Sequence, residues 1–407
     1  MKNKIVFSLL IVALVALPLI SACNSSSSTN TASTSNENKT LKVGVVAWLG
    51  WPLGLDMQHG IEILAELENK AGGITIGGEK YNVEFIQYNS NNDQNATQAG
   101  INKLVYQDKV NFILTDSMYI GSVVPITEQN KVIVCAGTPV PAIFDKNYKY
   151  SFQAGFINYM VPEIAGWMAE NNPAIKSIIV ALPDDQGGHT FGEMAKKSLE
   201  AFGLIVTNEF YPPTSSDLSS LGTKVKNTNP AAFSAMGGSG TDPLAYKAVW
   251  QAGYRGQFFN CTTSPLLILK QTVPAEALEG FIGGAWPVEF DPAATQQAQE
   301  FKDAYIAKNG KWDGPEIQLT ATWMCLKTAL EQAGTLDPEK VAEVITNGLN
   351  FEGPTGKARM VPRPDLGISR TVDSVSEFCI KKVINGKPTL IHTVTVEEAI
   401  GYISRLK

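Results

Sequence analysis

The pattern of apolar and polar positions after Thr40 alternates between two kinds of segment. Short runs rich in Val and Ile are followed by a Gly or Pro break and then by a longer segment with apolar residues at helical intervals. This alternation predicts parallel strands joined by crossover helices, and therefore an α/β fold. The predicted strands are 43–47, 81–88, 110–114, 132–135, 148–152, 178–182 and 231–236, and the predicted helices are 55–71, 121–130, 192–202, 243–252, 293–308 and 317–333.

The end of the chain carries a different signal. Asn385-Gly386 separates two runs of alternating apolar residues, 377–384 and 388–395. Asn-Gly supplies the two positive φ angles that a tight turn between antiparallel strands requires. The sequence therefore predicts a β-hairpin here.

The length of the chain after Thr40, here called the body, predicts two domains. About 365 residues follow Thr40, which is more than a single hydrophobic core usually holds. A fresh series of strand and helix units begins after Tyr159, and long helical patterns return after Pro287. We therefore expect two lobes built from discontinuous segments: 41–155 with 287–352, and 156–286 with 353–407.

The first 22 residues have the pattern of a secretory signal peptide. Lys2 and Lys4 precede an apolar run over 5–20, and Ile20-Ser21-Ala22-Cys23 resembles a bacterial lipobox. The resemblance implies that Cys23 becomes the lipidated first residue of the mature chain; an ordinary secreted protein with an incidental cysteine is the alternative. Residues 23–40, rich in Ser, Thr and Asn, are then a flexible tether.

Net charge and cysteine content limit which partners and cross-links the sequence predicts. The net charge is −6, and becomes −8 once Lys2 and Lys4 are removed with the signal, so no nucleic-acid surface is expected. The body holds four widely spaced cysteines without CxxC spacing. We interpret them as buried apolar residues; a disulfide stays possible but cannot be assigned among Cys135, Cys261, Cys325 and Cys379.

The loops after the predicted strands share a composition. Small hydroxyl residues and glycines stand beside aromatics in the loops 48–51, 115–119, 136–139, 184–188, 237–240 and 261–264. Ligands of open α/β sheets bind beyond the carboxyl ends of strands, where hydroxyl and backbone N–H groups hold anions. Ordinary turn and capping chemistry explains each loop taken singly. Their recurrence predicts a small anionic ligand, and Trp48 and Trp51 either cover its apolar body or belong to the core.

Several stretches together resemble the leucine/isoleucine/valine-binding family of solute-binding proteins that serve ABC transporters. They are VGVVAWLG, ENKAGGI, DQNATQAGINKLVYQDKVNFILT, DDQGGHTFGEMAKKSLEAFGLIV, DLSSLGTKVKNTNPAAFSAMGG, KAVWQAGYRGQFF and FEGPTGKARM. The resemblance implies two Rossmann-like lobes with parallel-sheet cores, joined by a three-crossing hinge and closing on a ligand. It also implies an extracytoplasmic, lipid-anchored monomer that binds a small carboxylate, needs no cofactor or metal, and delivers to a membrane permease.

The family pattern also suggests site residues. By position, the resemblance implies that Ser117 with Met118, and Thr138 with Gly137, bind the ligand carboxylate. The loop after the first strand is shorter than in the family, and Trp48 or Trp51 takes the place of the family's aromatic contact there. In the second lobe the aromatic of the D-x-x-Y-G motif becomes Phe191, and Ser239 stands where another aromatic is usual.

The most informative departure is Thr262, which stands where the family commonly has the acid that receives the ligand's α-ammonium. A buried ammonium without an acidic partner costs several kcal/mol. With the aromatic residues Trp48, Trp51, Tyr119, Phe156 and Phe191, this favours a carboxylate with a flat or bulky apolar body. A branched-chain or other amino acid stays open, because a carboxylate from another wall could replace the acid; the candidates are Asp116, Asp184, Asp185 and Glu316.

Two other classes of function are weighed against binding for transport. Gly237-Gly238-Ser239-Gly240 is similar to a nucleophile elbow, but Thr241 replaces its final Gly. Of the three histidines only His189 is expected in a cleft loop, so catalysis is disfavoured. A sensory receptor domain has the same fold but is normally joined to a membrane helix. No second apolar span follows, and transport is therefore favoured.

Overall fold

The computed structural model describes residues 38–49, 52–137, 143–155, 157–236, 241–312 and 317–406. Within these residues, helices pack against two sheets whose central strands are parallel, one sheet in each of two lobes. The predicted α/β fold class is thereby confirmed.

The first sheet has six strands in the order β2-β3-β1-β4-β5-β6, and all neighbours are parallel except β2 and β3. The strands are β1 Lys39–Ala47, β2 Ile74–Ile76, β3 Glu79–Asn89, β4 Phe112–Thr115, β5 Ile133–Ala136 and β6 Ser151–Gln153. Its helices are α1 Pro52–Lys70, α2 Gln94–Asn102 and α3 Val124–Gln129. A π-helical turn, Lys103–Gln107, continues α2, and a 3-10 turn, Ile120–Ser122, precedes α3. The single helix predicted over 121–130 is thus two short segments.

The second sheet has seven strands in the order β16-β15-β11-β10-β9-β7-β8. They are β7 Ser177–Pro183, β8 Ile205–Tyr211, β9 Ala232–Ala235, β10 Gln257–Thr263, β11 Ile282–Ala285, β15 Phe378–Ile384 and β16 Lys387–Val394. The last two strands pair antiparallel as the predicted hairpin. Asn385 and Gly386 have φ angles of 53° and 69°, as the Asn-Gly turn demands.

The helices of the second lobe are α4 Ile157–Asn171, α5 Gln186–Ala201, α6 Ser219–Thr228, α7 Asp242–Gln251, α8 Leu266–Leu269, α9 Ala275–Leu278 and, later in the chain, α13 Val396–Ile403. Three further helices, α10 Gln296–Asn309, α11 Gln318–Ala333 and α12 Pro338–Thr346, return to the first lobe, where α10 and α11 pack against α1. A separate antiparallel sheet of three strands follows α12. Its strands are β12 Asn350–Gly353, β13 Gly356–Arg363 and β14 Ile368–Ser376.

The chain passes three times between the lobes. The first passage runs from β6 into α4, the second from β11 toward α10, and the third through the three-stranded sheet into β15. This is the connectivity expected of a two-lobed hinge protein. The lobe boundaries at 155, 286 and 352 stay a prediction.

Cores flank both sheets and contain the body cysteines. Edge-to-face and tilted ring pairs join α7, the segment that follows it and the strands β9 and β10; the rings are Phe233, Tyr246, Tyr254 and Phe258. Cys135, Cys261, Cys325 and Cys379 are all buried and free. Their interpretation as small apolar core residues is confirmed.

Candidate functional site

Because parallel strands end at one edge of a sheet, β1, β4 and β5 bring their loops together in the first lobe. At this edge the Trp48 N–H donates to Asp116 Oδ1 over 3.1 Å. The Leu49 N–H donates to Asn89 Oδ1 over 2.9 Å. These bonds tie the loop after β1 to the ends of β3 and β4, and the half-buried Trp48 lies within that loop.

Asp116 is the acidic group of this edge. Burial raises the pKa of its carboxyl to about 6, an effect opposed by the hydrogen bond from the Trp48 N–H. Asp116 is therefore mostly ionised at pH 7 and mostly protonated at pH 5. Among the candidate substitute acids that the structure describes, Asp116 belongs to the first lobe, whereas Asp184 and Asp185 belong to the second.

Ser117 is buried and its hydroxyl is held by neighbours. Thr97 Oγ1 donates to the Asp93 carbonyl over 2.8 Å, so the 2.8 Å contact between the two hydroxyls is a donation from Ser117 Oγ to Thr97 Oγ1. The Tyr119 N–H donates to Ser117 Oγ over 3.2 Å. To bind a carboxylate, Ser117 would have to turn its proton from Thr97 to the ligand.

Backbone groups supply further polar contacts here. The Gly137 N–H donates to the Thr115 carbonyl over 2.7 Å, which joins the ends of β4 and β5. Met118 is 45% exposed, and in the described part of the chain its N–H has no acceptor. Of the two backbone N–H groups predicted to bind the carboxylate, that of Met118 is therefore still available at the strand edge. The Gly137 N–H is already bonded to the Thr115 carbonyl.

The second lobe differs from expectation at α5. Asp185 accepts a hydrogen bond from the Gly188 N–H over 2.7 Å and so caps a helix that begins at Gln186, not at Gly192. Phe191 lies in this helix, half-buried against the core. His189, predicted in a loop, also lies in the helix. Its Nε2 lies 2.8 Å from Asp184 Oδ1, and its ring stacks on Phe210 at 4.1 Å. Asp184 and Asp185 are thus engaged locally.

Thr262 ends β10 and is held by a buried polar network. Its N–H and its hydroxyl both donate to Asn260 Oδ1, over 2.6 and 2.8 Å. Asn260 Nδ2 donates to the Ala235 carbonyl over 2.8 Å and to Ser264 Oγ over 2.7 Å. The position that the resemblance assigns to an acid therefore carries a neutral, half-buried hydroxyl.

A buried ion pair supports the same loop. Lys381 Nζ donates to the Ser264 carbonyl over 2.7 Å and to Glu289 Oε2 over 2.6 Å, and the Lys381 side chain is fully buried. Glu289 Oε1 accepts the Trp286 N–H over 3.1 Å, at the start of the second passage between the lobes. Sequence reasoning missed Asn260, Lys381 and Glu289. Only the polar Asn260 inside the apolar strand FFNCTT offered a signal.

Several predicted residues lie outside the described part of the chain: Cys23, Trp51, Thr138, Phe156, Ser239 and Glu316. Of the predicted site, the structure describes Trp48, Ser117, Met118, Gly137, Phe191 and Thr262. The first four lie together at the edge of the first sheet; Phe191 and Thr262 belong to the second lobe.

A surface groove and the question of metal and membrane sites bear on alternative functions. A surface groove of about 580 Å³ lies between α11, β12, β13 and the start of α13, away from these strand ends, and is lined by charged residues of both signs. Among the described residues no cluster of His, Cys, Asp and Glu could hold a metal ion. In that same part of the chain, every helix is too short or too polar to cross a membrane.

The sequence also matches known proteins. The family model described as periplasmic binding protein matches residues 42–371. The chain belongs to this family. A curated relative, the leucine-, isoleucine-, valine-, threonine- and alanine-binding protein of Pseudomonas aeruginosa, is 27% identical over 352 residues, covering 82% of this chain and 89% of the relative.

Solved structures of this periplasmic binding protein fold are similar over most of the chain. A leucine-binding protein from Thermotoga maritima superposes with a TM-score of 0.68 at 20% identity, covering 88% of this chain and 100% of the other. A solute-binding protein of an ABC transporter from Rhodopseudomonas palustris, in complex with p-hydroxybenzoic acid, gives 0.69 at 17% identity, covering 89% and 99%. Both comparisons establish the two-lobed fold.

Proposed function

We propose that this periplasmic binding protein is the extracytoplasmic receptor of an ABC importer and closes its lobes on a small carboxylate with an aromatic or bulky apolar body. The observation that carries the proposal is the neutral Thr262, anchored to Asn260 where the resemblance places an acid. The ligand accordingly carries no α-ammonium.

The energetics support this choice. A buried ammonium without a carboxylate partner costs several kcal/mol, and each 1.4 kcal/mol is about tenfold in affinity. Asp184 Oδ1 lies 2.8 Å from His189 Nε2, and Asp185 Oδ1 accepts the Gly188 N–H, so each of these acids already has a partner on α5. The Rhodopseudomonas palustris protein, crystallised with p-hydroxybenzoic acid, is a precedent for an aromatic acid within this fold.

A second candidate is an aliphatic amino acid. Asp116, with its pKa of about 6, is mostly ionised at pH 7 and could receive an ammonium from the first lobe. The name of the Pseudomonas aeruginosa relative favours the same ligand class.

Matched ligand pairs separate the two candidates. Calorimetry on the chain from Asn24 onward, which keeps β1 whole, is expected to give at least tenfold tighter binding for 4-methylpentanoate than for leucine, since the two differ mainly in the ammonium, and measurable binding for benzoate. Trp48→Ala and Ser117→Ala should each weaken acid binding more than threefold, and Thr262→Glu should weaken it by adding an unpaired charge. Trp250→Ala is the control, because Trp250 stacks on Arg255 at 3.7 Å on α7, away from the strand ends. Tighter binding of leucine than of every acid without an ammonium would overturn the proposal.

We further propose that Cys23 is lipidated and holds the protein at the outer face of the membrane, where it meets the permease as a monomer. The lipobox-like Ile20-Ser21-Ala22-Cys23 and the polar tether support this. Cys23→Ser is expected to move the protein from the membrane fraction to the soluble fraction. Ser25→Ala, in the tether, is the control and should leave the distribution unchanged. Equal membrane retention of Cys23→Ser and the parent protein would exclude the anchor.

We propose a binding role without catalysis. The family is one of solute-binding proteins, and two of the three histidines engage carboxylates: His189 pairs with Asp184, and His392 Nε2 lies 3.3 Å from Glu398 Oε1. A receptor domain that senses the same ligand remains the alternative within this fold.

A further inference from the structure

The orientation of the Asn260 amide is fixed by its surroundings. Its side chain is fully buried, and one end of the amide lies 2.8 Å from the Ala235 carbonyl oxygen. A carbonyl can only accept a hydrogen bond, so this end must be the NH₂ group. The opposite end is therefore the oxygen, Oδ1, which faces Thr262.

This orientation fixes the Thr262 hydroxyl as well. Asn260 Oδ1 accepts the hydroxyl over 2.8 Å, and an amide oxygen cannot donate in return. The single proton of the hydroxyl is thus directed inward, along the strand. Thr262 is half-buried, and its Oγ1 can offer only lone pairs to a further partner.

We propose that Thr262 determines specificity by acting as an acceptor-only group that selects aromatic acids with a hydroxyl donor at the end remote from the carboxylate. The inference rests on the proposed function and deepens it from an aromatic or apolar carboxylate to a hydroxy-substituted aromatic acid. A phenolic O–H donates to Thr262 Oγ1, whereas a bare ring edge leaves that acceptor desolvated and unpaired.

The same geometry sets the direction in which the ligand binds. A carboxylate has no proton to donate, so it cannot pair with an oxygen that offers only lone pairs. The carboxylate end therefore faces away from Thr262 and toward the first lobe, where Met118, an exposed residue at the strand edge, has a backbone N–H without an acceptor among the described residues. The donor end of the ligand then faces β10.

The network holds this arrangement in place. Turning the Thr262 hydroxyl toward a ligand acceptor would break its bond to Asn260 Oδ1. Ser264, which accepts from Asn260 Nδ2, is in turn fixed by Lys381 through its carbonyl. Asn260, Ser264 and Lys381 are buried, and each is paired, so reversing one donor disturbs several bonds.

The test compares ligands that differ only in the donor. Calorimetry on the chain from Asn24 onward uses benzoate, 3- and 4-hydroxybenzoate, and the matching methoxybenzoates, which keep the oxygen but lose the proton. The better hydroxybenzoate is expected to bind about tenfold more tightly than benzoate, the gain of one well-placed hydrogen bond. Its methoxy counterpart should show none of that gain.

Variants assign the gain to Thr262. Thr262→Val, which has the same shape, should abolish the preference for hydroxybenzoate over benzoate. It should change the affinity for benzoate itself by less than about threefold. Asn260 Oδ1 keeps the backbone N–H of residue 262, so the fold should survive; thermal unfolding checks this. Thr262→Ser should restore the preference. Thr263→Val, at the neighbouring half-buried position, is the control and should keep it.

The outcomes separate this inference from the proposed function. A hydroxyl preference that persists in Thr262→Val, or a methoxybenzoate that binds the parent protein as tightly as its hydroxy counterpart, overturns the inference while leaving an aromatic-acid receptor. If no benzoate binds and leucine does, the proposed function fails and the inference fails with it.

Discussion

Lys381→Met is expected to lower the free energy of unfolding by about 3 to 5 kcal/mol, because it leaves the carboxylate of Glu289 buried without its cation. Lys381 Nζ lies 2.6 Å from Glu289 Oε2, and the exposed fractions of the two side chains are 0% and 8%. The Ser264 carbonyl loses its donor in the same variant. Urea or guanidinium unfolding at pH 7 measures the change.

Two variants test the cause. Lys381→Met combined with Glu289→Gln removes both charges and keeps an acceptor for the Trp286 N–H, so most of the loss should be recovered. Lys382→Met removes the same charge from the next, half-buried residue of β15 and should change stability by less than about 0.5 kcal/mol. If the double variant is no more stable than Lys381→Met, the unpaired carboxylate is not the source of the loss.

Glu163→Gln is expected to become progressively more stable than the parent protein as pH rises above about 5. Glu163 lies on α4, is fully buried, and both of its carboxyl oxygens lack a partner within the described residues. Burial raises the pKa of this carboxyl well above 4.5. The folded chain keeps the proton that the unfolded chain has lost. The stability of the parent therefore falls as pH rises through this window, by about 1.4 kcal/mol per pH unit.

Unfolding curves from pH 4 to pH 8 measure this difference. The variant cannot titrate at position 163, so the gap in unfolding free energy should open above the ordinary glutamate pKa and widen until the folded protein ionises. Glu193→Gln, at an exposed position on α5, is the control and should run parallel to the parent. A constant gap across the range would mean that folding does not raise the pKa of Glu163.

Local pattern was sufficient for much of the fold. The apolar run at 43–47 lies within β1, and the runs at 178–182 and 388–395 correspond to β7 and β16 within a few residues. Each run carries enough apolar surface to require burial, and a Gly, Pro or Asn-Gly break lies beside it. The Asn-Gly hairpin was predictable because its backbone angles are a property of two residues.

Other elements depended on contacts that no local signal carries. The short β2 is stabilised by pairing with β3, and the three-stranded sheet assembles 350–376 from strands with weak alternation. The start of α5 was misplaced by six residues because Asp185 caps it, ahead of a glycine pair that looked like a loop. Capping energy and strand pairing outweigh intrinsic propensity at such positions.

The sequence by itself determined the α/β class, the two-lobed organisation, the strand-end loops and the neutral residue at 262, since these follow from periodicity, turn chemistry and residue type. Only the tertiary structure decided what those loops can do. Lys381 and Glu289 are 92 positions apart, and a Lys-Lys pair in sequence looks like a solvated surface. Folding brings them together behind Ser264, buries them, and through Asn260 turns the Thr262 proton inward. The direction of a hydroxyl depends on the acceptors around it, and residues distant in sequence supply them.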